Sequence, residues 1–123
     1  HIFVHKTQPY LFEVQDNDDW MSKYFFSGGM MPSEDLPLFF QEDLKIINQW
    51  IWSGKQYENT ANAWLKNIDL NKNKAISVLE EIYGKNNSKK WFQRWRIFFM
   101  SCAELWGYKN GKEWKVAHYL FKK

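Results

Sequence analysis

The stretch Gly54–Trp64, GKQYENTANAW, places Tyr57, Thr60 and Trp64 at i, i+3 and i+7, one face of any helix formed there. A glycine and two amides surround the phenol. In that setting a tyrosine can hold a ligand through its hydroxyl or fill a core, and the spacing leaves both open. Three imidazoles are the other groups able to move a proton near neutral pH: His1, His5 and His118. In an extended HIFVHK, residues His1, Phe3 and His5 share a face. His118 sits in an alternating run and reads as a core or edge residue, and Trp64 reads as core. No His, Cys or Asp cluster has metal-ligand spacing, so no metal is expected.

These residues need elements to position them. The opening His1–Lys6 is β-branched and aromatic and suits a buried strand. Thr7–Val14 reads as irregular and extended around Pro9. Asp16–Asp19 offers N-cap chemistry for a short helix through Trp20, Tyr24 and Phe25, which Ser27-Gly28-Gly29 ends. Ser33, with Glu34 and Asp35 behind it, is expected to cap another short helix reaching Phe39–Phe40 despite Pro37. Leu44–Trp52, LKIINQWIW, reads as a strand.

From Gly54 to Gly84 the period turns helical. Tyr57, Ala61, Trp64 and Ile68 mark one helix, and Ile76, Leu79 and Tyr83 mark a second over Lys72–Tyr83. The longest helix is expected between Ser88 and Trp106. Its two neighbouring apolar stripes, one through Trp91, Trp95, Phe98, Cys102 and Leu105, the other through Phe92, Phe99, Ala103 and Trp106, imply burial against more than one partner. Asn110-Gly111 is a turn, and Glu113–Phe121 alternates as a closing strand. Strand, two short helices, strand, three helices, strand is an α/β order, and its middle connection resembles a crossover.

Composition narrows the function classes. Hydrophobic content is 45% and charged content 25%, ordinary for a folded domain, but 20% of residues are aromatic. Rings bring large buried area and a π face that attracts cations and flat molecules. A formal charge of +3, with Glu113 interrupting the closing lysines, is too sparse a stripe for a nucleic-acid face. The single cysteine, Cys102, rules out an internal disulfide and fits a reducing compartment such as the cytoplasm. It reads as a buried helix residue without a nucleophilic role. No run reaches the length of a membrane span. The chain opens in mid-strand, with no Met and no cap, which is the pattern of a processed chain or of part of a longer polypeptide. A three-strand sheet would also leave an edge bare.

Three spaced groups of residues carry a family resemblance. They are His1, His5-Lys6-Thr7 and Trp20 through Tyr24-Phe25-Phe26-Ser27-Gly28-Gly29 to Met31-Pro32-Ser33; Gly54, Tyr57, Thr60 and Trp64; and Trp91, Trp95-Arg96, Phe98-Phe99, Ala103-Glu104-Leu105, Gly107-Tyr108, Asn110-Gly111 and Glu113-Trp114 through Val116-Ala117-His118-Tyr119-Leu120-Phe121. Over essentially its whole length the chain resembles the C-terminal part of cyclopropane-fatty-acyl-phospholipid synthase-like methyltransferases, in their coclaurine N-methyltransferase branch. The resemblance implies a seven-stranded Rossmann-like sheet, of which residues 1–123 supply the last three strands. It also implies a helical insertion over residues 54–108 that covers the acceptor pocket. S-adenosyl-L-methionine would bind an upstream half, since no glycine-rich strand-to-helix turn is present here. The upstream half, or partner chains completing the sheet, are the partners implied.

The resemblance also implies roles. Methyl transfer from a sulfonium needs alignment, water exclusion and the handling of one proton. His1 matches the histidine expected to handle that proton, and Tyr57 a tyrosine facing the reaction chamber. Phe26, Trp95, Phe98 and Phe99 match positions that face the acceptor, and Phe3 joins them as a substrate-binding residue on the His1 face. The acceptor expected is a small-molecule amine. Two alternatives are methylation or cyclopropanation of an unsaturated acyl lipid, and a non-catalytic remnant serving as an accessory subunit.

Overall fold

A computed structural model describes residues 1–123, and the chain divides into two compact units. One is formed by His1–Gly54 with Tyr108–Lys123, the other by Lys55–Gly107.

The first unit is built on a three-stranded sheet of β1 (Ile2–His5), β4 (Lys45–Ser53) and β5 (Trp114–Lys122) in the order β1-β5-β4. The last strand of the chain lies in the middle and runs antiparallel to both neighbours, so β1 and β4 are parallel to each other without touching. Register fixes the faces. Ile2 opposes Ala117 and Val4 opposes Lys115 on one face, while Phe3 opposes Val116 and His5 opposes Trp114 on the other. Val4 and Ala117 are fully buried on the first face. On the second face β4 adds Trp50 opposite His118 and Trp52 opposite Val116. A register shift between Ile46 and Asn48 bends β4 near its start.

The long connection from β1 to β4 departs from expectation at three places. Tyr10–Leu11 (β2) pairs antiparallel with Met30–Met31 (β3), a two-residue ribbon inside the segment expected to be irregular. The short helix α1 (Trp20–Tyr24) forms, but Asp19 does not cap it. Its Oδ2 accepts the backbone N–H groups of Gln15 and Asp16 at 2.8 and 3.2 Å, so the carboxylate closes the preceding loop. Ser33 does not cap a helix either. Its Oγ donates to Asp35 Oδ1 at 2.6 Å, and the next element is a single 3-10 turn, Leu36–Phe39. Pro37, which has no N–H, sits at its start.

Glu34 ties this connection to the sheet. Its carbonyl accepts Gln49 Nε2 at 2.9 Å and Tyr119 Oη at 2.8 Å, and its carboxylate pairs with Lys115 Nζ at 2.6 Å.

The second unit holds most of three helices: α2 (Gly54–Leu70), α3 (Lys72–Tyr83) and α4 (Lys85–Gly111). α3 keeps the bounds that its apolar spacing predicts. It stops at Gly84, whose φ of 79° is left-handed and costs glycine little. Across that stop Tyr83 and Trp91 stack at 4.0 Å. Of the two expected stripes on α4, Phe92, Ala103 and Trp106 are buried, as is Cys102 from the other. Helical backbone in α4 ends before Tyr108, and Lys109, Asn110 and Gly111 turn left-handed at φ of 48°, 58° and 71°. Asp69 on α2 takes Arg96 of α4 as a bidentate pair, 2.6 Å to Nε and 3.3 Å to Nη2.

Candidate functional site

In the helical unit, Tyr57, Trp64, Trp95, Phe98 and Phe99 form one connected set of rings. Tyr57 meets Trp64 edge-on at 5.7 Å and Trp106 at 5.0 Å. Trp64 meets Phe99 at 5.8 Å, and Trp95 meets Phe98 at 5.6 Å and Phe99 at 5.7 Å. These are the tilted and edge-to-face separations that aromatic quadrupoles prefer. Four residues singled out in the sequence are thus brought together, and Trp64 joins them.

Beside these rings lies a groove of about 760 Å³. α2 contributes Trp64, Asn67 and Ile68, and α3 contributes Lys74, Ala75, Val78 and Leu79. α4 adds Trp95 and Phe99 to this open groove, and Asn71 lies at the α2–α3 turn. The volume falls within the range of small-molecule sites, and the lining has their composition: mostly apolar and aromatic with a few polar groups. Trp64 is not the core residue that its helical spacing suggests. It is 42% exposed and lines the groove.

The electrostatics of Tyr57 limit its role. Burial, and secondarily the neighbouring Cys102, push its phenol above the ordinary tyrosine value. At neutral pH it is a neutral hydroxyl that can donate a hydrogen bond, not a phenolate base. Cys102 itself is buried and pushed up to about 11 by desolvation, so its thiol is inert near neutrality, as expected for a core cysteine.

The sheet unit holds the other residues. His1 is exposed and stacks on His118 at 5.2 Å with 20° between the rings. Trp52 lies 6.0 Å from His118. Phe3 is half-buried on the same sheet face. Sequence spacing assigned His118 no part in a site, since only the β1-β5 pairing brings it beside His1. Phe26 packs on Phe12 at 5.3 Å, within the β2–β3 region. Phe3 and Phe26 therefore belong to the sheet unit, while Trp95, Phe98 and Phe99 belong to the helical one.

His5 is structurally committed. Its Nδ1 accepts the backbone N–H groups of Thr7 at 3.2 Å and Gln8 at 2.9 Å. Its ring hydrogen is then on Nε2, which faces Glu113 Oε1 at 3.4 Å. Trp114 packs edge-on against it at 5.3 Å, and Trp114 Nε1 donates to Tyr10 Oη at 2.9 Å. Glu113 is held below the usual carboxylate range by its hydrogen bond from Lys109.

No group of three or more His, Cys, Asp or Glu residues is placed to hold a metal. No helix is long and apolar enough to cross a membrane. The one direct strand-to-helix passage in the chain has no glycine-rich loop. β4 passes into α2 without a loop, at Ser53-Gly54, and Ser53 Oγ is spent on the carbonyl of Gly111 at 3.2 Å.

No family model matches the chain. Among curated proteins it is similar to (S)-coclaurine N-methyltransferase of Papaver somniferum, 42% identical over 97% of this chain and 35% of that protein. The enzyme of the same name from Thalictrum flavum subsp. glaucum is 40% identical over 97% of the chain and 34% of its own length. Pavine N-methyltransferase of that plant is 36% identical over the same shares of the two chains. The chain thus spans about a third of these relatives. Among solved structures, coclaurine N-methyltransferase bound to N-methylheliamine and SAH superposes with a TM-score of 0.86 at 39% identity, covering 98% of this chain and 36% of that one.

Proposed function

Since the chain belongs to the coclaurine N-methyltransferase branch, of whose members it spans about a third, we propose that it is the C-terminal segment of an S-adenosylmethionine-dependent methyltransferase acting on a small aromatic amine. The observation that carries this reading is the ring-lined groove of the helical unit. Trp64, Trp95 and Phe99 present π faces in a site of small-molecule size. Indole and phenyl faces attract a ligand ammonium and stack on a flat ring system. An aromatic amine offers both.

Residues 54–108 then act as the cover over the acceptor, with Trp95, Phe98 and Phe99 as its binding residues and Tyr57 as a hydroxyl donor. In the sheet unit, His1 takes the proton that an ammonium must lose before nitrogen can attack. Phe3 and Phe26 are assigned to acceptor binding from the same unit. S-adenosylmethionine, held by residues outside these 123, supplies the methyl group, and the sheet is the far edge of a seven-stranded one.

The test is a chimera in which this chain replaces the segment it matches in the Papaver somniferum relative. Incubated with methyl-labelled S-adenosylmethionine and 1,2,3,4-tetrahydroisoquinoline, it should place label on the ring nitrogen. A folded chimera that labels no nitrogen across a panel of aromatic amines contradicts the reading. Label recovered in acyl chains of a lipid extract would move the function to lipid methylation.

A further inference from the structure

Two ion pairs lie within the helical unit. Lys55 and Glu58 stand about one turn apart on α2, so their pair ties that helix only to itself. Asp69 and Arg96 instead join α2 to α4, Nε donating to Oδ1 at 2.6 Å and Nη2 to Oδ2 at 3.3 Å. Nη1 of the same guanidinium donates to Gln93 Oε1 at 2.9 Å, one turn earlier on α4. The fork is thereby held on its own helix in the plane that a carboxylate can meet.

The pair stands on a seam. Tyr57 meets Trp106, Trp64 meets Phe99 and Asp69 meets Arg96, so α2 and α4 run antiparallel along their contact. Asp69 follows the groove residue Ile68, and Arg96 follows the groove residue Trp95, yet neither partner lines the groove. One residue is about 100° of helix, which sets Asp69 about 100° or more around α2 from Trp64, Asn67 and Ile68. The ion pair therefore clasps the seam from outside the groove, beside the residues that form its walls.

We infer that Asp69 and Arg96 are positioning residues, whose clasp sets the spacing of Trp64 and Ile68 on α2 against Trp95 and Phe99 on α4. A flat ligand gains from those walls only in close contact, since a gap of about 0.5–1 Å forfeits a quarter to a half of a dispersion contact. Both partners are partly exposed, so the pair adds little to overall stability while it fixes local geometry. The coupling is reciprocal: what the clasp gives to affinity, a bound ligand returns to the clasp. The inference rests on the groove being the acceptor site and adds how its walls are held.

The experiment titrates the 123-residue chain and its variants with 1,2,3,4-tetrahydroisoquinoline. It follows the indole N–H resonances of Trp64 and Trp95 and the Nε–H resonance of Arg96. Asp69→Asn and Arg96→Gln should each weaken binding about fivefold, with the urea midpoint little changed. The double variant should lose no more than either single one, because one clasp is broken only once. In the unaltered chain, saturating amine should shift the Arg96 Nε–H signal and slow its exchange with water. A pair that merely supports the fold would leave affinity and that signal unmoved. Unchanged affinity in both variants, losses that add in the double variant, or an Arg96 signal indifferent to amine overturns the clasp and leaves the acceptor site standing. If the amine moves neither Trp64 nor Trp95 in the unaltered chain, the acceptor site falls and the clasp with it.

Discussion

His1 and His118 stack ring on ring at 5.2 Å, although they stand at the opposite ends of the chain. The contact exists because β5 lies between β1 and β4 and places the imidazole of its fifth residue on the face that His1, Phe3 and His5 share. Removing one ring exposes the other to a different magnetic and chemical surround. His118→Ala should move the His1 ring protons downfield in a proton spectrum and leave those of His5 in place. Unmoved His1 signals would show that the two rings do not stack in solution.

His5 should prove structural. His5→Ala strips the acceptor from two backbone N–H groups, a loss of about 2–3 kcal/mol in urea unfolding, while Glu113 keeps Lys109 as its partner. His5→Asn, whose amide oxygen can stand near the Nδ1 position, should recover about half. Equal losses for the two variants would mean that the ring's packing on Trp114, not its hydrogen bonds, matters.

Gly107 leaves room for a carboxylate. A Cβ built there falls 2.8 Å from both Cδ and Oε2 of Glu58, which pairs with Lys55. Gly107→Ala should cost about 1–2 kcal/mol, because the Glu58 head must shift. In a Glu58→Ala background the same change should cost little or stabilise, as alanine is the better helix former. A double-mutant cycle in denaturant measures the difference, and additive costs would contradict the close approach.

Alkaline pH should loosen the fold in a defined window. Cys102, pushed up to about 11 from the thiol's ordinary 9.0, favours the folded state with its proton on. The folded value is the higher one, so this contribution is complete below about pH 9 and is lost as pH rises toward 11. Tyr57, Tyr10 and Tyr119, all raised above the ordinary phenol value first by burial, act in the same sense at higher pH. The melting temperature should therefore fall from about pH 9 upward, and in Cys102→Ala the fall should begin only above about pH 10. Identical profiles for the two proteins would place the thiol in contact with water.

Much of this was legible in local pattern. Ile76, Leu79 and Tyr83 followed by Gly84 mark α3, a run of β-branched and aromatic residues marks β4, and alternation marks β5, because these patterns are written within a few residues. Features that depend on distant pairing were not legible. Tyr10–Leu11 becomes a strand only through Met30–Met31, about twenty residues away. The carboxylate of Asp19 had two sets of amides to choose from and took those before the helix. Likewise Trp64 has the spacing of a core residue, and only the arrangement of α2, α3 and α4 leaves its face on a groove. The family motifs named Trp95 and Phe99 but gave no sign of Lys74, the one charged residue in the groove lining.

If the helical unit receives an aromatic amine between the rings of α2 and α4, those rings must report its arrival. Titrating the chain with 1,2,3,4-tetrahydroisoquinoline while recording indole N–H resonances reads this out residue by residue. Trp64 and Trp95 should shift together and saturably while Trp50 and Trp114 stay still, and Trp95→Ala should weaken binding at least about tenfold. Shifts confined to the sheet tryptophans, or none at all up to millimolar amine, would contradict an acceptor site in this groove.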